Sequence, residues 1–114
     1  MSSEKFPWPD LPKYEIVFSS VYRKCREDVF EYIHKEWWEN SVENFSFELK
    51  RRLSNLQYLP NDNPRYHIND KYRFFPIWGY LVLFFVDDEK RTVVVDRVYH
   101  GSRNIEELLK KEDK

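Results

Sequence analysis

The stretch YRFFPIWGYLVLFFV, residues 72–86, decides the fold. Lys71 to Ile77 reads as a β-strand. Pro76 places that strand at an edge or a bulge, because proline cannot donate to a central ladder. Trp78 to Val86 is the longest apolar run in the chain. It is far shorter than the roughly 20 residues a bilayer-spanning helix needs, so Tyr80 to Val86 reads as a buried strand. Asp87-Asp88-Glu89-Lys90 is a turn, and the valine-rich segment Thr92 to Tyr99 is the next strand. Short connections of this kind build an antiparallel meander.

Upstream of the meander the period changes. Pro60 and the Asn63-Pro64 pair close a helix whose apolar positions are Val42, Phe45, Leu49, Leu53 and Leu56. Asn40 with Glu43 has the spacing of a capping box at its start. An earlier helix follows Ser19 or Ser20, with Tyr22, Cys25, Val29, Ile33 and Trp37 recurring every three or four residues. The break at Glu39–Ser41 makes the two helices an antiparallel hairpin. Before them, Tyr14, Ile16 and Phe18 alternate as in a strand. Downstream, Gly101 breaks the last strand, and Asn104 with Glu107 caps a short helix from Ile105 to Lys111. The expected fold is α+β in two layers: an N-terminal strand, a helical hairpin packed on an antiparallel meander, and a short C-terminal helix.

The chain has 114 residues and a mass of 14.2 kDa, the size of one domain, which we assign to residues 14–114. Residues 1–13 hold Pro7, Pro9 and Pro12 and form an extended arm, in which Phe6 and Trp8 either dock on the domain or stay in a loose tail. Hydrophobic residues at 41% favour folding over disorder, and aromatics at 18% supply large buried areas to a small core. Nineteen basic residues against 20 acidic ones give a net charge of −1. A protein whose affinity came from neutralising phosphates would be far more basic, so strong direct nucleic-acid binding is not expected. Cys25 is the only cysteine, so neither an internal disulfide nor a cysteine metal cluster is available. With no apolar leader at the N-terminus, a reducing cytoplasm is the expected compartment.

Polar groups that interrupt the strand pattern are the candidates for chemistry. Arg73 lies between Tyr72 and Phe74, Arg97 lies within the last strand, and Tyr99, His100 and Arg103 gather at its exit. Two readings stand. In one, Arg73 and Arg103 bind phosphate, Tyr99 stacks a base and His100 moves a proton, the parts a metal-free ribonuclease needs. In the other, Arg97 pairs with Asp96 or Glu15, and His100 hydrogen-bonds the adjacent turn. Strand geometry sets Arg73 apart from His100 and groups Arg97, His100 and Arg103 as one local cluster. His34 reads as a surface helix residue and His67 as a loop residue. No spacing of histidines and carboxylates resembles a metal site, and no cofactor motif is present.

Two motifs carry a resemblance. Residues 72–86 resemble the central hairpin of the RelE/ParE toxin superfamily, with an Arg opening one strand and Gly-Tyr opening the next. Residues 93–103, VVVDRVYHGSR, resemble its final strand, which in ParE-like members often ends in Arg, two residues, then His-Gly-x-Arg. The resemblance covers about residues 14–109. It implies the toxin of a bacterial type II toxin–antitoxin pair, neutralised by a small antitoxin, with no cofactor. It implies one of two targets: DNA gyrase, for ParE-like members, or messenger RNA in the ribosome, for RelE-like members. Phe74 and Pro76 stand where RelE carries basic residues, and the near-neutral charge is unlike a ribosome-directed nuclease. The ParE-like reading is therefore preferred. The alternatives are a nuclease using Arg73, Tyr99, His100 and Arg103, and a degenerate member that only binds antitoxin. The antitoxin is expected across Trp37, Trp38, Val42 and Phe45.

Overall fold

The computed structural model describes residues 13–112. The Pro-rich arm, with its Phe6 and Trp8, lies outside them apart from Lys13. The elements are β1 (Glu15–Phe18), α1 (Ser20–Glu36), α2 (Ser41–Asn55), a 3-10 turn (Pro60–Asp62), β2 (Arg73–Ile77), β3 (Tyr80–Asp87), β4 (Thr92–His100) and α3 (Ile105–Glu112). The meander is antiparallel, and β1 joins it in parallel beside β4, giving the order β1-β4-β3-β2. Pro76 is exposed on the edge strand β2, where its missing N–H leaves no central ladder bond unmade.

Caps explain where the helices begin. The Ser19 hydroxyl accepts from the Tyr22 N–H at 3.0 Å, and Asn104 Oδ1 accepts from the Glu107 N–H at 3.3 Å. The expected Asn40 capping box does not form. Asn40 has φ 69° and makes no side-chain cap bond. The tight link between the helices needs a left-handed residue there, which Asn tolerates, whereas a side-chain N-cap needs extended backbone.

The helical hairpin covers one face of the sheet. Tyr22, Ile33, Phe45 and Leu49 meet Phe75, Val82, Phe84, Val93 and Val98 in the main core. The other face carries the short C-terminal helix. A second cluster joins Tyr66, Tyr72, Leu83 and Tyr99 to Ile105 and Leu109 of α3. Amphipathic spacing in α3 gives it an apolar side, and this is where it is buried. The sheet separates the two clusters, and a bulge in β4 sets which of its side chains face each. Leu83 pairs with Arg97 and Phe84 with Val95, leaving Asp96 as the extra residue. That residue lets Val95 and Val98 both face the helices and turns Arg97 away from the main core.

The β2–β3 turn is unusual. Trp78 and Gly79 both have positive φ, 52° and 86°. Two-residue hairpins favour such backbone, and Asn-Gly is its ordinary sequence. Trp78 is held there by its ring, stacked on Trp37 at 5.2 Å and edge-on to Phe45 at 5.2 Å. Trp78→Asn therefore improves the turn chemistry yet lowers stability by about 1–2 kcal/mol, because a large packed ring is lost. Denaturant unfolding of the two proteins reads this directly; equal midpoints would show that the turn, not the ring, governs the position.

Candidate functional site

Beyond Phe18 the edge of β4 has no strand beside it. The chain turns at Ser19 into α1, tied down by Ser19 N–H to Val95 O at 3.1 Å and by the Ser19 hydroxyl to Asp96 O at 3.0 Å. The last half of β4 and the first half of α1 thus face each other across a cleft of about 820 Å³. Lys24, Cys25, Asp28 and Tyr32 line it from α1, with Tyr80, Tyr99, His100 and Arg103 opposite. The Tyr99 and Tyr80 rings belong to different core clusters, so the cleft opens between the two.

His100 is exposed, and its ring meets Tyr80 edge-on at 5.1 Å. The Ser102 N–H donates to its Nδ1 at 3.1 Å, and the Ser102 hydroxyl lies 2.8 Å from the same nitrogen. A ring nitrogen that accepts a backbone N–H carries no proton, so Nε2 holds it in the neutral ring. His100 therefore does hydrogen-bond the adjacent turn. The Arg103 N–H closes that turn on His100 O at 3.0 Å, and the Arg103 guanidinium lies 5.9 Å from the Tyr99 ring centre.

Arg97 does not join them in the cleft. It is 4% exposed, and its Nε donates to Asp96 Oδ2 at 3.0 Å. Asp96 Oδ2 also accepts from the Tyr72 hydroxyl at 2.6 Å. Burial acts against the Asp96 charge, but hydrogen bonds from Tyr72 and Arg97 outweigh it and hold the carboxyl below the usual aspartate value. Burial likewise opposes the Arg97 charge, and hydrogen bonds to Tyr99 and Asp96 raise it above ordinary arginine. Arg97 is the keystone of a buried polar network, so the expected cluster of Arg97, His100 and Arg103 reduces to His100 and Arg103. The sequence carried half of this signal in the Asp96-Arg97 neighbours; the bulge that buries them together is not a local property.

Arg73 lies elsewhere. It pairs with Phe84, opposite Val95, whereas His100 pairs with Tyr80, opposite Ile77. Four residues along β3 and two strand spacings separate the levels, about 14 Å along the sheet and about 10 Å across it. The Arg73 Nη1 instead donates to Asn63 O at 2.6 Å, fastening the segment before β2. Cys25 and Tyr99, two of the titratable groups of the cleft, are both pushed up by burial, which leaves neither prepared to act as a base at neutral pH. Among the described residues no group of three or more histidine, cysteine or acidic side chains is placed to hold a metal ion, and no helix is long and apolar enough to cross a membrane.

At the tip of the helical hairpin, Trp38 is 70% exposed, while Trp37 and Val42 are half-buried. Phe45 is fully buried against Phe30, Trp78 and Tyr80. It is a core residue and cannot meet a partner. Its periodic position in α2 already marked it as apolar and inward. Phe47 and Tyr32, at 71% and 52% exposure, are the exposed rings of this layer that the sequence reading passed over.

Comparison with known proteins agrees with this architecture. Residues 16–105 match the model of a family described as the ParE toxin of type II toxin–antitoxin system, parDE. No curated protein matches the chain. Among solved structures, a chain of the chromosomal ParDE toxin–antitoxin system from P. aeruginosa superposes with a TM-score of 0.65 at 10% identity, covering 76% of this chain and 95% of that one. A chain of the toxin–antitoxin complex RelBE2 from Mycobacterium tuberculosis gives 0.54 at 20% identity, covering 82% and 97%. The intact E. coli RelBE complex gives 0.53 at 20% identity, covering 79% and 99%. At such identities these likenesses speak for the fold.

Proposed function

We propose that this chain, which belongs to the family of ParE toxins of type II toxin–antitoxin systems, arrests bacterial growth through DNA gyrase without cutting nucleic acid, until a cognate antitoxin covers it. The observation that carries the reading is the separation of Arg73 from His100, with Arg97 bound into an internal ion pair. A metal-free ribonuclease needs an acid, a base and phosphate-binding cations around one reacting atom. Here those groups are divided between the two ends of the sheet, which supports an action by binding. One feature favours the second reading, a ribosome-dependent nuclease: His100, Arg103 and Lys24 line a single cleft.

Induced expression in bacteria separates the two. Gyrase poisoning raises a DNA-damage reporter and leaves transcript ends unchanged. Cuts in translated messages that vanish with His100→Ala would transfer the function to the nuclease class. Undiminished growth with abundant folded protein would mean that toxicity has been lost.

In this reading the antitoxin binds the outer surface of the helical hairpin, across Trp37, Trp38 and Val42. These line a hollow of about 790 Å³ with Phe30 and His34. An amphipathic segment that folds on binding suits such a surface, with its apolar side against the rings. In the complex the Trp38 indole is expected to be shielded from an aqueous quencher, and hydrogen exchange at the hairpin is expected to slow. A hairpin unchanged by complex formation would move the interface elsewhere.

A further inference from the structure

Tyr58 and Leu59, between α2 and the 3-10 turn, are 56% and 66% exposed and adjacent in sequence. With Phe75, Leu56 and Arg52 they line a groove of about 350 Å³ between the end of α2 and β2. The Arg52 guanidinium lies 4.7 Å from the centre of the Phe75 ring and donates to Pro76 O at 3.2 Å. The groove is thus aromatic and aliphatic on one side and polar on the other, where Asn55, Asp62 and Asn63 line it, with Arg52 as its one cation. The chain enters the described structure at this place. Lys13 Nζ sits 5.7 Å from the centre of the Tyr58 ring, and the Tyr14 N–H donates to Gln57 O at 2.9 Å. Upstream lie the residues FPWPDLP, 6–12, outside the family match that begins at residue 16.

We propose that residues 6–12 dock in this groove of their own domain. Proline-rich segments are recognised by aromatic-lined grooves because their extended helix is already ordered and loses little entropy on docking. Seven residues in that conformation span about 22 Å, and the contact between Lys13 and Tyr58 starts them at the groove itself. Phe6, Trp8 and Leu11 supply apolar side chains for Tyr58 and Leu59, and Asp10 complements Arg52. Docking covers two large side chains that would otherwise stand in water.

The test uses the full chain with methyl-labelled leucine and records nuclear Overhauser contacts from Leu59. Contacts to the Phe6 or Trp8 ring are expected, and they are lost in Trp8→Ala with Phe6→Ala. Tyr58→Ser with Leu59→Ser, exposed positions that leave the core intact, is expected to return the Trp8 ring signals to random-coil values. Absence of any contact from the arm to Leu59 in the folded protein would overturn the proposal. So would contacts that appear only between differently labelled molecules, since the occupant would then be a second copy. Random-coil Trp8 signals in the unsubstituted chain would also overturn it.

Discussion

Replacing Asp96 with alanine is expected to lower stability by about 3–5 kcal/mol, because it removes a carboxylate paired with the buried Arg97 charge. Arg97 is 4% exposed, and the Asp96 carboxylate also accepts the Tyr72 hydroxyl. Asp96→Leu combined with Arg97→Met is expected to cost less than Asp96→Ala alone, since it removes both charges and keeps apolar volume. Tyr72→Phe loses one bond to a charged acceptor, about 1.5–3 kcal/mol. The pH dependence has a definite sign. The folded Asp96 pKa lies below its unfolded value, so its contribution is complete above about pH 4 and is lost as the pH falls through the lowered folded value. Denaturant melts of the unsubstituted chain and of Asp96→Asn across that window should converge on acidification. An Asp96→Ala loss under about 1 kcal/mol would show that the ion pair is solvated and not a keystone.

Phe45→Ala and Trp38→Ala are expected to act in opposite ways. Phe45 is fully buried among Phe30, Trp78 and Tyr80. Its truncation leaves a cavity and costs about 3–5 kcal/mol. Trp38 is 70% exposed, and its loss should change stability by no more than about 0.5 kcal/mol. On the hairpin interface proposed above, that same change weakens antitoxin binding by about 2 kcal/mol or more, as a buried tryptophan anchor does. Calorimetric unfolding and titration with the antitoxin measure both quantities. Strong destabilisation by Trp38→Ala with unchanged affinity would make Trp38 a structural cover for the helix link.

The fold was largely legible in the sequence because it rests on periodicity. The step from helical spacing up to Leu56 to strands after Lys71 sets the element order, and Pro76 reads correctly as an edge residue. What the sequence withheld depends on partners distant in the chain. Nothing local to Thr92–Tyr99 announces that Asp96 is a bulge, and with it the burial of Arg97. The parallel pairing of β1 with β4 is likewise a tertiary outcome, as is the cleft it leaves beside α1. Asn40 shows how a correct spacing can mislead: the residue sits at the helix start, but the turn claims its backbone before its side chain can cap. His100 and Arg103 meet because a four-residue turn that includes Gly101 joins them. Arg73 stays apart because the first and third strands of a meander run parallel, so an early residue of one cannot reach the end of the other.

Purified components test the proposed action on gyrase by binding most directly. The chain, freed of its antitoxin, is added to gyrase with relaxed plasmid and ATP, and in parallel to ribosomes translating a defined message. The expected result is that supercoiling is lost or cleaved plasmid accumulates, that antitoxin restores the reaction, and that the message stays whole. A message cut in the ribosome, with gyrase unaffected at the same concentration, would contradict it.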